Sequence, residues 1–290
     1  MLTALYIGLR FVHFAALISV LGCTLYSGWW APLTLRRLLA QRFSALLNVS
    51  LIASALSAVL MLMVQGGLMG SGWSDTWQPE IWFAVAATHF GSVWIWQIIL
   101  AWVALVVGWV QPRQMMRLLL ILTAAQFIML AGVGHSAMRD GILGALQRSN
   151  HALHLLCAAA WVGGLVPFLY CLRLAKGRWR QVAIYTMMRF SRYGHLAVAG
   201  VVVTGIINAL LIQNGWPLDT PYSRMLMVKC GLVALMVMIA LANRYVVVPR
   251  MARADSQQTQ HFFLRATQVE LVLGALVLAC VSLFATWEPF

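Results

Sequence analysis

The sequence is dominated by long apolar runs that alternate with short polar connections. Eight runs can be drawn, at 4–31, 43–69, 81–110, 116–135, 149–172, 183–213, 224–248 and 266–287. A helix needs about 20 apolar residues to cross the bilayer core, and these runs are long enough. Only helices or closed barrels satisfy their backbone hydrogen bonds in lipid, and no alternating barrel segments are visible. The sequence therefore predicts an all-α polytopic membrane bundle of about eight transmembrane helices.

Composition excludes several other classes of protein. Hydrophobic residues make up 62% of the chain and charged residues 9%, whereas soluble domains are about half apolar and a quarter charged. The net charge of +13 does not indicate a nucleic-acid partner, because most basic residues lie between apolar runs. The sequence contains no P-loop, GxSxG or HExxH motif and no large ATP-coupling domain. We therefore expect no enzyme, apart from a redox role if haem is bound.

The connections between the runs alternate in charge, which predicts an orientation. One set is basic and contains Arg36, Arg37, Arg42, Arg113, Arg117, Arg173, Lys176, Arg178, Arg180, Arg250, Arg253 and Arg265. The other set is poor in positive charge and comprises 70–80, 136–150 and 214–223. The positive-inside rule places the basic set in the cytoplasm. Both termini are then expected on the outer side.

Weak self-similarity predicts an internal repeat. Residues 10–26 align with 151–167, which matches His13 to His154 and Gly22 to Gly163. Likewise, 42–44 recurs as 189–191, and 88–91 parallels 220–223, setting Gln97 against Lys229. The common order favours two parallel four-helix repeats, 1–148 and 149–290, over chance similarity between apolar helices. Together they would form one membrane domain.

Ionisable residues inside the membrane are the candidates for function, because burying them in lipid is costly. Five histidines are expected in the outer half of the membrane, and they are His13, His89, His135, His151 and His154. Imidazole binds copper, zinc and haem iron, and methionine thioethers near these helix ends would favour Cu(I). We therefore expect the five histidines to form a metal or haem site.

Other intramembrane polar residues are expected to support that site or the fold. His195, near mid-membrane, is a candidate relay or supporting residue, and a packing role is equally compatible with its position. Arg10 and Lys229 lie in the outer half, where their charges would oppose a bound cation; Arg10 would suit a haem propionate instead. Arg244 and Glu270 lie near the inner face and are expected to form a structural ion pair.

One segment carries a family resemblance. Residues 150–164, with His154 seven residues before Trp161 and then Gly163 and Gly164, resemble the His-x6-Trp-x-Gly-Gly signature of the bacterial copper resistance protein D family. Further similarity over 149–287 lies at Arg189-Phe190-Ser191, Gly200, Gly205, Asn208, Pro221-Tyr222-Ser223-Arg224, Lys229, Asn243-Arg244 and Glu270. The first half, with 65–67 and 131–135, is similar to the stand-alone enterobacterial members.

The resemblance implies a copper-homeostasis protein of the bacterial inner membrane, in which the charge pattern of the connections would place both termini in the periplasm. Copper ions would be taken from the periplasmic side by the membrane histidines and methionines. The donor would be a small periplasmic copper-binding protein of the copper resistance C type, since this chain has no outer loop rich in Met and His. Two alternatives stay open. One is a haem b electron-transfer protein that uses His13 with His154 or His89, and the other is a silent partner that recruits a periplasmic protein.

Overall fold

The computed structural model describes residues 1–110, 115–134, 140–175, 177–213, 220–247, 257–284 and 286–287. Their α-helices are α1 Leu2–Leu25, α2 Leu33–Arg42, α3 Ser44–Met69, α4 Pro79–Ala86, α5 His89–Val110, α6 Met116–Leu130, α7 Gly141–Leu174, α8 Arg180–Gln213, α9 Pro221–Ala242 and α10 Gln257–Phe284. Single π-helical segments extend α1 over Tyr26–Trp30 and α9 over Asn243–Val247. Among the described residues, seven helices are long and apolar enough to span a membrane, and α6 is a shorter apolar helix. The predicted all-α membrane bundle is confirmed.

The helix expected over 81–110 is divided into α4 and α5. Thr88 separates the two helices because its hydroxyl donates to the carbonyl of Val85 at 2.6 Å and accepts the N–H of Gly91 at 3.1 Å. This is the geometry of a helix N-cap, which starts a new helix instead of continuing the old one. The prediction of one continuous helix is therefore wrong, and His89 begins α5 instead of lying nine residues inside a helix.

Helix α7 is longer than the apolar run that predicted it. It begins at Gly141 instead of 149 and contains 34 residues, which corresponds to about 50 Å of helix. The hydrocarbon core of a bilayer is about 30 Å thick, so α7 is long enough to extend beyond it. The expected repeat boundary between residues 148 and 149 falls inside this helix.

Helix α1 occupies the centre of the bundle and packs against α3, α6, α7 and α10. Helices α1, α3, α5 and α6 contact one another in a closed ring, whereas α7 packs against α1, α8 and α10 and α9 packs against α10. The backbones of α1 and α7 approach each other closely at Gly22 and Gly163. A methyl group added to Gly22 would overlap the backbone carbonyl of Gly163. Small residues at such a crossing allow two membrane helices to pack by their backbones.

Candidate metal-binding site in the membrane

His13 is completely buried between α1, α3 and α5, and both of its ring nitrogens are engaged. Its Nδ1 lies 2.9 Å from the Ser57 hydroxyl, which itself donates to the carbonyl of Ser54 at 3.2 Å. Nδ1 is therefore the donor to Ser57, and the lone pair is on Nε2. The side-chain amide of Gln97 donates to that Nε2 at 3.0 Å. In this arrangement His13 has no lone pair to offer to a metal ion.

His154 makes the corresponding hydrogen bond on α7 and α8. Its Nδ1 lies 3.0 Å from the hydroxyl of Thr204, and that hydroxyl donates to the carbonyl of Gly200. Nδ1 of His154 is therefore the donor, which places the lone pair on Nε2. A neutral imidazole held by its Nδ1–H is the form in which histidine binds metals through Nε2.

His151 lies beside His154 on the same face of α7. Their rings stack with centroids 6.3 Å apart and an angle of 10° between the planes. The amide of Asn208 donates to Nδ1 of His151 at 3.3 Å, and Asn208 is held in turn by Asn150 at 2.9 Å. With Nδ1 as acceptor, the proton of the His151 ring is on Nε2. His151 thus faces the site as a donor, and His154 as an acceptor.

The hydrogen bonds of His13 and His154 occur at positions that the predicted repeat would match. The offset that relates Arg42 to Arg189 also relates Ser57 to Thr204. The two histidines therefore use equivalent hydroxyl residues on the following long helix. The two arrangements differ at Nε2. Nε2 of His13 accepts a hydrogen bond from the Gln97 amide, whereas the residue matched to Gln97 in the second half is Lys229.

Two positive charges lie near the His151–His154 pair. Lys229 is within electrostatic range of both rings, and Arg10 is within range of His151 and of His13. The Arg10 guanidinium also lies over the ring of Phe14, 5.5 Å from its centroid. Both charges disfavour a cation at the pair, as expected for charges of like sign in a medium of low dielectric constant.

The five histidines expected at one site are not all brought together. His89 is exposed at the first residue of α5, and His135 lies outside the described residues. His195 is engaged through Nδ1 with the carbonyl of Ser191, one turn earlier on α8. Within the described ranges, no three His, Cys, Asp or Glu side chains form a group that could hold a metal ion. The strongest candidate site is therefore Nε2 of His154, with the Nε2–H of His151 beside it.

The expected ion pair between Arg244 and Glu270 is replaced by separate hydrogen bonds. Arg244 donates to the hydroxyl and the carbonyl of Ser191 on α8. Glu270 is buried and accepts from the side-chain amide of Asn243 at 3.3 Å. Neutral partners on neighbouring helices thus hold both charged groups.

Residue-by-residue reasoning did not identify the polar partners of the histidines. Ser57, Thr204 and Gln126, whose amide oxygen lies 3.5 Å from the Gln97 amide nitrogen, were not expected at a site. Serine and threonine are common in membrane helices, so their type alone is a weak signal. The repeat offset would have matched Ser57 to Thr204.

Fold and site together define a polytopic membrane protein whose candidate ligand residues are buried histidines in long transmembrane helices. Residues 1–145 match the family described as copper resistance protein D-like, N-terminal domain, and residues 184–284 match copper resistance protein D. The chain belongs to the copper resistance protein D family, and the expected resemblance is confirmed. No solved structure matches this chain.

Three curated relatives agree with this assignment. The chain is 53% identical to the inner membrane protein YebZ of Escherichia coli K12, with both chains covered completely. It is 28% identical to copper resistance protein D of Pseudomonas syringae pv. tomato, over 98% of this chain and 97% of the relative. It is 27% identical to the copper transport protein CutJ of Bacillus subtilis, over 96% of this chain and 51% of that protein. The first name describes an inner membrane protein, and the other two describe copper resistance and copper transport proteins, not enzymes.

Proposed function

We propose that this protein accepts copper ions from the periplasmic side at His154, with His151 beside it, and moves them into the inner membrane. The observation that carries the proposal is the pair of hydrogen bonds from His154 to Thr204 and from Thr204 to Gly200. This relay holds the proton of His154 on Nδ1 and leaves Nε2 as a ligand atom. Copper is supported as the cargo by the family and by the names of two relatives.

The comparison between the two halves supports one site instead of two. In the first half, the Gln97 amide occupies Nε2 of His13. A metal ion can bind there only if the amide leaves a fully buried position. The proposed role of His13 is therefore structural, and the proposed ligand is its counterpart His154.

The charges around the pair suit a site of transit more than one of storage. Lys229 weakens the binding of a cation at His154, and Arg10 adds positive charge beside the neighbouring His151. A conducting site must bind strongly enough to be occupied and weakly enough to release the ion. The lysine charge therefore favours release, and uniport or exchange is the proposed mode of transport.

Cys157 is the next ligand type along the same helix face. It follows His154 by three residues, which places both side chains on one side of α7. Its sulfur packs against Gly200, whose carbonyl accepts the Thr204 hydroxyl. Thiolate is a preferred ligand of Cu(I). We propose that copper passes from His154 towards Cys157 on its way inward.

The proposed orientation has the basic connections in the cytoplasm and both termini in the periplasm. It rests on the positive-inside rule and on the basic residues that follow α1 and α7. In this orientation His151 and His154 lie in the outer half of the membrane. The proposed donor is a small periplasmic copper-binding protein of the copper resistance C type.

The test is Cu(I) affinity, measured by competition with a chromophoric chelator on purified protein in neutral detergent. His154→Ala should abolish binding of copper at the site, and His151→Ala should weaken it. His13→Ala, the matched variant in the other repeat, should leave copper affinity unchanged and lower only the thermal stability. Equal copper binding by wild type and His154→Ala would exclude the proposed site.

The haem alternative is tested on the same samples. It relies on His13, whose two ring nitrogens are engaged by Ser57 and Gln97. A Soret band in freshly purified protein that disappears in His13→Ala or His154→Ala would favour haem over copper. We expect the spectrum of the purified protein to lack this band.

A further inference from the structure

A cavity of about 740 Å³ opens at the end of the bundle where α1 gives way to α2. Its charged lining residues are all basic, and they are Arg36, Arg37 and Arg117. None of the described residues that line the cavity is acidic. Burial and then the positive charges of Arg117 and Arg189 lower the pKa of Arg36. The cavity therefore concentrates positive charge without neutralising it.

The start of α2 adds backbone donors to the same cavity. Leu33 and Thr34 are the first residues of this ten-residue helix, and both line the cavity. The first N–H groups of a helix have no partner within the helix, and no side chain caps α2. A helix N-terminus beside arginine side chains is a favourable environment for a phosphate group.

Backbone carbonyls hold two of the arginines in place. Arg36 donates through Nε to the carbonyl of Ala31 at 2.8 Å, and Arg117 donates through Nε to that of Gly28 at 3.4 Å. Each bond uses one of the five N–H donors of a guanidinium group. The arginines are thus positioned in advance, which reduces the entropy lost when an anion binds.

A smaller and mostly apolar groove adjoins the charged cavity and is lined by residues of α2, α3, α5 and α6. Ala40 and Met116 line both the cavity and this second pocket of about 90 Å³. Leu47, Leu51 and Leu119 form its apolar lining, and Ser44 and Asn48 add two polar side chains. An anionic head-group site joined to an apolar groove matches the chemistry of a phospholipid more closely than that of a free anion.

We propose that this cavity binds the phosphate head group of an anionic phospholipid, with an acyl chain lying in the adjoining groove. Basic pockets between transmembrane helices bind such head groups in membrane proteins generally. The lipid would neutralise the arginines and join α2 to α6. This proposal is independent of the copper site, because it uses none of the same residues.

The experiment measures thermal unfolding of the full-length protein in neutral detergent with added lipid. Phosphatidylglycerol should raise the melting temperature, whereas phosphatidylcholine with the same acyl chains and inorganic phosphate should not. In Arg37→Gln/Arg117→Gln, the concentration of phosphatidylglycerol needed for half of the shift should rise about tenfold. Arg36 is left in place because it also holds the backbone at Ala31.

Two further variants separate binding from folding. Arg37→Lys/Arg117→Lys keeps both charges and should keep most of the lipid response. Arg173→Gln/Arg180→Gln removes two exposed charges outside the cavity and should respond like wild type. If the double glutamine variant does not fold, Arg37→Gln alone at its exposed position carries the same comparison.

Three results would overturn the proposal. Equal responses to phosphatidylglycerol in wild type and in the cavity variant would place the lipid elsewhere. An equal shift with phosphatidylcholine would remove the requirement for an anionic head group. The full shift with inorganic phosphate alone would show a site for a free anion instead of a lipid.

Discussion

Helices α1 and α7 cross in contact at Gly22 and Gly163. Neither position has room for a side chain, because the backbone of the opposite helix fills the space where a Cβ atom would lie. A methyl group on Gly163 would overlap the carbonyl of Ile18, and one on Gly22 would overlap the carbonyl of Gly163. His13 and His154 each precede the crossing glycine of their helix by nine residues. The two histidines are therefore about 13 Å along their helices from one shared contact.

Gly163→Ala is expected to destabilise the protein by about 1–3 kcal/mol, because two backbones must separate to admit the methyl group. Thermal unfolding in detergent measures the effect. Gly8→Ala is the matched control in α1, since a methyl group there meets no atom within 4 Å. If both variants melt like wild type, the close crossing is not present in solution.

Ser57→Ala is expected to cost about 1–3 kcal/mol, because it leaves the buried Nδ1–H of His13 without its acceptor. The control is Ser54→Ala, three residues earlier on the same helix. Ser54 is also buried, but its hydroxyl has no hydrogen-bond partner in the described structure. A difference in melting temperature between the two variants measures the His13 hydrogen bond, and identical melting would contradict it.

Thr204→Val is expected to lower copper affinity about 10- to 100-fold, the usual effect of removing the residue that orients a ligand histidine. The valine has the same shape but cannot accept the Nδ1–H of His154, so the proton is no longer held away from Nε2. Thr186→Val is the control on the same helix, because the Thr186 hydroxyl bonds only to the carbonyl of Val182 one turn earlier. Chelator competition should separate the two variants; equal affinities would show that the relay does not orient the ligand.

Lys229→Leu is expected to raise the affinity for copper about tenfold, because it removes a positive charge near His151 and His154 without adding a hydrogen-bond donor that could occupy Nε2 of His154. Arg224→Gln, at an exposed position early in the same helix, is the control and should have little effect. A fall in copper affinity for Lys229→Leu would contradict the repulsive role of the lysine and point to its amine as a ligand.

Much of the architecture could be predicted from the sequence, because the cost of burying backbone in lipid leaves few solutions for apolar runs of this length. The run at 43–69 became α3 with nearly the same bounds. The run at 81–110 did not become one helix, because the hydroxyl of Thr88 competes for backbone hydrogen bonds. A hydropathy pattern cannot predict this break, because it does not show that a side-chain hydroxyl replaces backbone hydrogen bonds.

The sequence by itself determined the membrane class, the position of most spanning helices and the pairing of His151 with His154 on one helix face. These follow from composition and from the helical period, which are properties of the chain alone. Only the tertiary structure decided which histidine nitrogens are engaged. Gln97 reaches His13 from a helix far away in sequence, and Thr204 orients His154 from α8. Such contacts depend on how helices pack, and packing selects one arrangement among many that the same periodicity allows.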